Sequence, residues 1–333
     1  MPDRPAKLLD VARLAGVGKT TASDALSGTG RISTATRAAV LEAARTLNYR
    51  PNGSARHLRR ASTGAVAVAL AETLSRSHYF MAFVFGIVAE ASRRDYDVTI
   101  VNPSATRDGH RPLRADGVIV ADPTRSDPFL AGLLSSGATV VSSERLPGPG
   151  PQPAGTVWSA HEQAMHDLLD AVGRSGARRP GLLVADESVD WAASLARGYR
   201  AWCDERGIAP ALRTVPYDAT WASMQETTAA LLQEEPDLDA LVCGPDGSAS
   251  EIAPVLSRHG RTVGHDFALA ACVDSAPVQT AAPAITALDL DPRGAGAACA
   301  RLLFDLLEGT AAPGTAVEHP VVLRERASTA AFR

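Results

Sequence analysis

The first residues in the chain whose types and spacing could do chemistry are Ala15–Thr21 (AGVGKTT). A glycine followed by lysine and threonine can wrap a nucleotide phosphate. The phosphate-binding loop, however, needs GxxxxGK[ST] leaving a β-strand. Here Arg13 holds the place of the first glycine. The run before it, with apolar Leu8, Val11, Ala12, Leu14 and Ala15, has helical spacing. A P-loop NTPase is therefore a remote alternative. The same residues fit a helix-turn-helix better: one helix ends at the Gly16-Val17-Gly18 turn and a second starts near Lys19. The second helix of that motif enters the DNA major groove with its N-terminal side chains toward base edges.

Other catalytic signals are poor. Neither GxSxG nor HExxH occurs. His161 and His166 are five apart, off a common helix face, and read as surface residues. Glu234 and Glu235 sit in a polar helix end. Cys203, Cys243, Cys272 and Cys299 are scattered without a CxxC and read as small buried apolar residues in a reducing compartment. The expectation is a protein that is not an enzyme, with no cofactor, no metal and no catalytic residue.

The elements that would position a DNA-reading helix follow from periodicity. Lys19–Leu26 buries Ala22, Ala25 and Leu26. Ser33 is placed to cap a third helix running to Leu47, with Val40, Leu41 and Ala44 on one face. Pro51 ends that stretch, and Asn52 can cap a short basic helix, Gly53–Arg60. After residue 64 short apolar β-type runs alternate with amphipathic stretches. Ala65–Ala71, Gly117–Ala121, Gly181–Ala185 and Ala240–Cys243 are such runs, with Tyr79–Arg94, His161–Arg174 and Trp191–Arg206 between them. That alternation predicts parallel sheets with crossover helices. Its length exceeds one doubly wound unit, so two α/β lobes are expected. Between Val101 and Asp116 there is little room for a crossover helix, which points to one lost at a lobe edge.

Charge divides the chain in the same place. Residues 1–60 carry 11 Lys and Arg against 4 acids, whereas the remainder is acidic enough to bring the total to −4. A basic head on an acidic body is the electrostatic footprint of a polyanion partner. Over 333 residues, 45% apolar and 21% charged composition describes a globular chain and excludes collagen, coiled coil and disorder. No apolar run is long enough for a membrane span. The start, MPDRPAKLLD, has no apolar signal region, so a cytoplasmic protein with no membrane partner is expected.

The string from Leu8 to Leu58 carries D-V-A-x-x-A-G-V, R-I-S-x-x-T-R and L-N-Y-x-P-N in order. It resembles the N-terminus of the lactose/galactose-repressor (LacI/GalR) family of bacterial transcription regulators. Ser77-His78-Tyr79-Phe80, Asp116-Gly117-Val118-Ile119 and Arg324–Thr329 extend the resemblance, more loosely, across the body. It implies an all-α helix-turn-helix head over residues 1–50 and a hinge helix and linker over 51–62. Residues 63–333 would form a two-lobed α/β body, like periplasmic binding proteins, with parallel sheets. It also implies a homodimer on double-stranded operator DNA, most often a repressor, controlled by a small-molecule effector.

By this resemblance Gly18, Lys19, Thr20 and Asp24 face the groove, with Thr21 and Ser23 capping or touching phosphate. Lys19 can donate to guanine and Thr20 can meet a thymine methyl. Asp24 departs from the family, which commonly has Arg there. It either accepts from cytosine N4 or pairs with a nearby arginine and orients it. Leu58 matches the hinge residue that wedges into the minor groove, Ala55 allows close helix approach, and Arg56 and Arg59 meet phosphates. Arg31 and Asn52 complete the implied DNA-binding set.

The body departs from the family's sugar clamp. Leu195 stands where an arginine is common, an Asn-Asp pair becomes Pro245-Asp246, and a Gly-aromatic-Asp-Asp element becomes Ala271-Cys272-Val273-Asp274. Aromatic faces are then expected to carry the effector: Tyr79, Phe80, Trp158, Trp191 and Trp221, with Asp246 and Asp274 as polar anchors. A sugar or a planar metabolite fits that expectation. The competing reading is a ligand-blind regulator with a degenerate cleft.

Overall fold

A computed structural model of the chain describes residues 6–28, 30–49, 62–70, 77–103 and 113–332. By contacts the chain divides into two units, Met1–Thr63 and Gly64–Arg333.

In the first unit, α1 (Leu8–Leu14), α2 (Lys19–Ser27) and α3 (Thr34–Thr46) bury Val11, Ala12, Ala22, Ala25, Val40, Ala43 and Ala44 together. Most of these are alanines, so the helices approach closely around a small core. Gly16 turns the chain between α1 and α2 at φ +65, a backbone state that L side chains rarely adopt. Ser33 caps α3 as its position suggested, its Oγ accepting from the Thr36 amide at 3.1 Å. Of the hinge expected over 51–62, only Ser62 is among the described residues.

The second unit begins with β1 (Ala65–Ala69), α4 (His78–Ser92), β2 (Asp97–Val101), β3 (Gly117–Ala121), α5 (Pro128–Ser136), β4 (Val140–Ser143) and β5 (Gly155–Ser159). It continues with α6 (His161–Arg174), β6 (Pro180–Ala185), α7 (Asp190–Arg206), β7 (Ala211–Val215), α8 (Trp221–Glu234) and β8 (Ala240–Cys243). Then follow α9 (Ser248–Arg258), β9 (Ala268–Ala271), α10 (Ala276–Gln279), β10 (Thr286–Asp289), α11 (Pro292–Leu307), β11 (Thr315–His319) and β12 (Val322–Arg324).

These strands form two six-stranded sheets, ordered β11-β5-β4-β3-β1-β2 and β12-β10-β9-β8-β6-β7. Every pairing is parallel except β10 with β12. Each sheet is covered on both faces, which is why β3 and β6 are buried along their whole length. In the first lobe Val66, Val68 and Ile119 meet α4 and α11, and Ala67, Val118 and Val120 meet α5. In the second, Leu182 and Val184 face α6 and α7, while Leu183 and Leu241 face α8 and α9. Gly86 and Gly296 let α4 and α11 cross backbone to backbone, since a Cβ on either would collide with the facing carbonyl of Arg293 or Phe83.

The chain passes between the lobes three times: from Ser159 to His161, from Asp289 to Pro292, and from His319 to Val322. Helix α5 was not expected from the sequence, although its signals are strong. Asp127 Oδ1 accepts from the Phe129 amide at 2.9 Å, Pro128 opens the first turn, and Gly137 closes the helix at φ +75. Strands β5, β7, β11 and β12 were also missed, being short and broken by polar residues. The crossover helix expected to be lost would fall on residues 104–112, outside the described set. Among the described residues no helix is long and apolar enough to cross a membrane.

Candidate functional site

In the head, α2 turns its buried side to Ala22 and Ala25. Lys19 and Thr20 stand exposed at its start, and Thr21, Ser23 and Asp24 are half-buried. Gly18 caps the helix without a side chain, which leaves the first-turn amides open to an acceptor such as phosphate. No described residue pairs with the Asp24 carboxylate, which lies beside Gly30. Arg31 is exposed just before α3. A strand does not precede Gly18-Lys19-Thr20; α1 does, so the context a P-loop needs is missing. Asn52, Ala55, Arg56, Leu58 and Arg59 lie outside the described residues.

In the second unit a cavity of about 410 Å³ opens between the lobes at the carboxyl ends of the strands, where open α/β sheets place ligands. Tyr79 and Phe80 reach it from the start of α4, Trp191 from α7, Trp221 from α8, and Asp246 from the turn after β8. Tyr79 packs edge-to-face on Phe80, ring centroids 5.1 Å apart. Trp221 is 44% exposed and lies against Gly247. Leu195, Pro245 and Val273, the apolar departures from the sugar clamp, also line the wall.

Two expected effector residues lie elsewhere. Trp158 sits on β5 opposite Glu318, with the Arg145 guanidinium 3.4 Å from its ring centroid. Asp274 is buried in a two-pronged ion pair with Arg326, at 2.7 and 2.8 Å. A carboxylate so satisfied stabilises the second lobe rather than a ligand.

The cavity also holds side chains that the sequence reading missed. Asp122 and Glu144 follow β3 and β4 directly, in left-handed backbone at φ +44 and +73. Strained non-glycine backbone of this kind clusters at functional sites. His161, read from sequence as a surface residue, is 4% exposed and lines the cavity. Its Nε2 lies 3.0 Å from Glu144 Oε1. The error has a simple cause: helical spacing placed His161 relative to His166, but the first lobe crossing covers it. An acid immediately after an apolar strand was the available signal for Asp122 and Glu144.

Two aspartates join the lobes. Asp122, from the first lobe, accepts at Oδ2 from the Tyr217 hydroxyl at 2.7 Å and from Trp191 Nε1 at 3.0 Å, both from the second. Asp246, from the second lobe, accepts at Oδ2 from the Ser77 hydroxyl at 2.7 Å and from the Tyr79 amide at 3.2 Å, both from the first. Burial raises the Asp122 carboxyl to about 6, with Glu144 adding to the rise and the Tyr217 and Trp191 bonds opposing it. Burial alone would lower His161, but the Glu144 carboxylate, with Asp190 and Asp122 adding to it, holds the imidazole above its ordinary value. An arrangement of this kind can hold a small molecule and feel the lobes move.

Residues 7–52 match the model of bacterial regulatory proteins of the lacI family, and residues 169–329 match a periplasmic binding protein-like domain. The chain belongs to the LacI family. It is a DNA-binding transcription regulator with an effector-domain body. Among its relatives is the HTH-type transcriptional regulator CelR of Thermobifida fusca, 28% identical over 90% of this chain and 91% of that protein. Another is the sucrose operon repressor of Escherichia coli, 29% identical over 79% of this chain and 82% of that protein. The fold of this LacI-family chain is that of the lac repressor dimer bound to operator and the anti-inducer ONPF. The TM-score is 0.80 at 23% identity, over 98% of this chain and 100% of that one. It is also that of a CelR-cellobiose complex, with a TM-score of 0.72 at 24% identity, over 97% and 99%.

Proposed function

We propose that the chain is a repressor that binds a pseudo-palindromic operator as a homodimer in the cytoplasm, and that a small molecule in the cavity between the lobes sets its operator affinity. The observation that carries this reading is the pair of aspartates, Asp122 and Asp246, whose hydrogen bonds cross between the lobes inside the cavity. A ligand that touches those groups differs in its affinity for the open and closed arrangements, and such a difference is the requirement for control.

Lys19, Thr20 and Asp24 are the residues we assign to base edges, and Gly18, Thr21, Ser23 and Arg31 to the backbone of the DNA. Asn52, Ala55, Arg56, Leu58 and Arg59 are carried over from the family resemblance alone. Tyr79, Phe80, Trp191, Trp221 and Asp246 are assigned to the effector. For the dimer, Met81, Phe85 and Ile100 are exposed on neighbouring α4 and β2 of the first lobe. Exposed apolar side chains grouped in this way suit a second copy. We assign no catalytic role to any residue.

The test is operator binding by fluorescence anisotropy with DNA from upstream of the chain's own and neighbouring genes, with and without metabolites that those genes' products handle. Sequence-specific binding that one metabolite weakens or strengthens is the expected result. Specific binding that no metabolite changes favours the ligand-blind regulator.

A further inference from the structure

Five carboxylates line the cavity: Asp122, Glu144, Asp218, Asp246 and Glu251. Among the described lining residues there is no lysine or arginine, and the only other ionisable cations are His78 and His161. His161 is already engaged by Glu144. Four of the side-chain donors are spent as well. Tyr217, Trp191 and Ser77 donate to Asp122 or Asp246, and Ser250 donates to the Gly247 carbonyl. The acceptors are not. Asp246 Oδ1 is buried and has no hydrogen-bond partner, while Asp218 and Glu251 stand exposed at the cavity's mouth.

Such a wall discriminates by charge. A hydroxyl brings one donor and two acceptor lone pairs, so carboxylates serve only part of it. An ammonium brings three donors and no acceptor. A buried carboxylate oxygen left unpaired is costly, and a cationic donor relieves that cost. The aromatic rings of Tyr79 and Trp221 offer electron-rich faces to the same charge. A metal ion is the poorer occupant, because no three His, Cys, Asp or Glu among the described residues converge closely enough to hold one. Burial is the main cause that holds Asp122 near 6, and the Glu144 carboxylate adds to it, so a cationic donor would be favoured beside this pair.

We infer that the effector is an organic cation, a ring compound carrying a protonated amine, and that Asp246 Oδ1 is the acceptor of that amine. The inference rests on the cavity being the effector site.

The experiment compares matched pairs that differ by hydroxyl against amine: glucose with glucosamine, cellobiose with its diamino counterpart, and cyclohexanol with cyclohexylamine. Binding to the full-length protein is read by tryptophan fluorescence and by melting temperature. Within a pair the amine binds about ten-fold or more tightly, and the preference falls with added salt. Asp246→Asn removes most of the preference. Should that variant melt early, Glu251→Gln, on the exposed rim, lowers the preference by a smaller factor. Equal or tighter binding of the neutral members overturns the cation proposal and leaves the effector reading standing. If none of the six compounds binds, the cation proposal falls, and the effector reading is then decided by the operator experiment with its metabolites.

Discussion

The Trp191 indole and the Asp122 carboxylate meet across the cleft, Nε1 donating to Oδ2 at 3.0 Å, although the two residues belong to different lobes. Tyr217 donates to the same oxygen at 2.7 Å. One carboxylate oxygen thus ties the first lobe to two elements of the second. Its ionisation is also the most displaced among the carboxyl groups of the cavity.

That displacement sets a pH dependence. The folded Asp122 pKa, about 6, lies above the ordinary 3.8, so the folded state holds the proton more tightly. The stabilisation this gives is full below about pH 4 and is lost as pH rises through 6. At pH 8 the buried charge works against folding. Asp122→Asn keeps an acceptor oxygen and removes the charge, so it raises stability at pH 8 by up to about 2 kcal/mol. The gain shrinks toward pH 4. Melting curves of both proteins from pH 4 to 8 check this, and a gain that is the same at every pH contradicts the assignment.

Trp221 is expected to carry the ligand response rather than the fold. It is 44% exposed and opens α8, whose cap is Thr220. Trp221→Ala therefore changes stability by less than about 1 kcal/mol. It removes the effector's influence on operator affinity together with most of the ligand-induced fluorescence change. Full response in the variant sinks the stacking role.

Asp24 is expected to read a base. No described residue pairs with its carboxylate, which leaves it able to accept from a base edge. Asp24→Ala relaxes discrimination at one position in each half-site, by about 1–3 kcal/mol. Selection from a randomised operator library measures this directly. A uniform gain in affinity for every sequence indicates instead that the carboxylate merely repels phosphate.

Phe85 is expected to lie at the dimer interface. It is 55% exposed on α4 beside Met81 at 45%. Phe85→Glu places a charge on that apolar face, raises the dimer dissociation constant by about a hundred-fold, and leaves the monomer folded. Sedimentation at several concentrations separates this from an unchanged dimer, which would move the interface elsewhere.

Local pattern determined much of this molecule. The spacing of Val11, Ala22, Ala25, Val40 and Ala44 defined the head helices, and Ser33 capped the third of them as its position required. Apolar runs such as Leu182–Ala185 and Val118–Ala121 announced strands buried on both faces, because periodicity is a property of neighbours along the chain. Several cavity-lining aromatics, Tyr79, Phe80, Trp191 and Trp221, were legible because they start helices at strand ends. The cavity's polar character was not legible. Asp122 and Glu144 follow two strands of the first lobe, His161 opens α6 at the first crossing, and Tyr217 and Asp246 come from the second lobe. Only the strand order and the three lobe crossings bring them together. The same tertiary packing withdrew Asp274 and Trp158, since Arg326 and Arg145 reach them from chain positions 52 and 13 residues away. A side chain's type tells which bonds it can make. Which of them it makes is decided by the neighbours that folding supplies, and in this cavity the ionisable ones among the described residues are mostly acids.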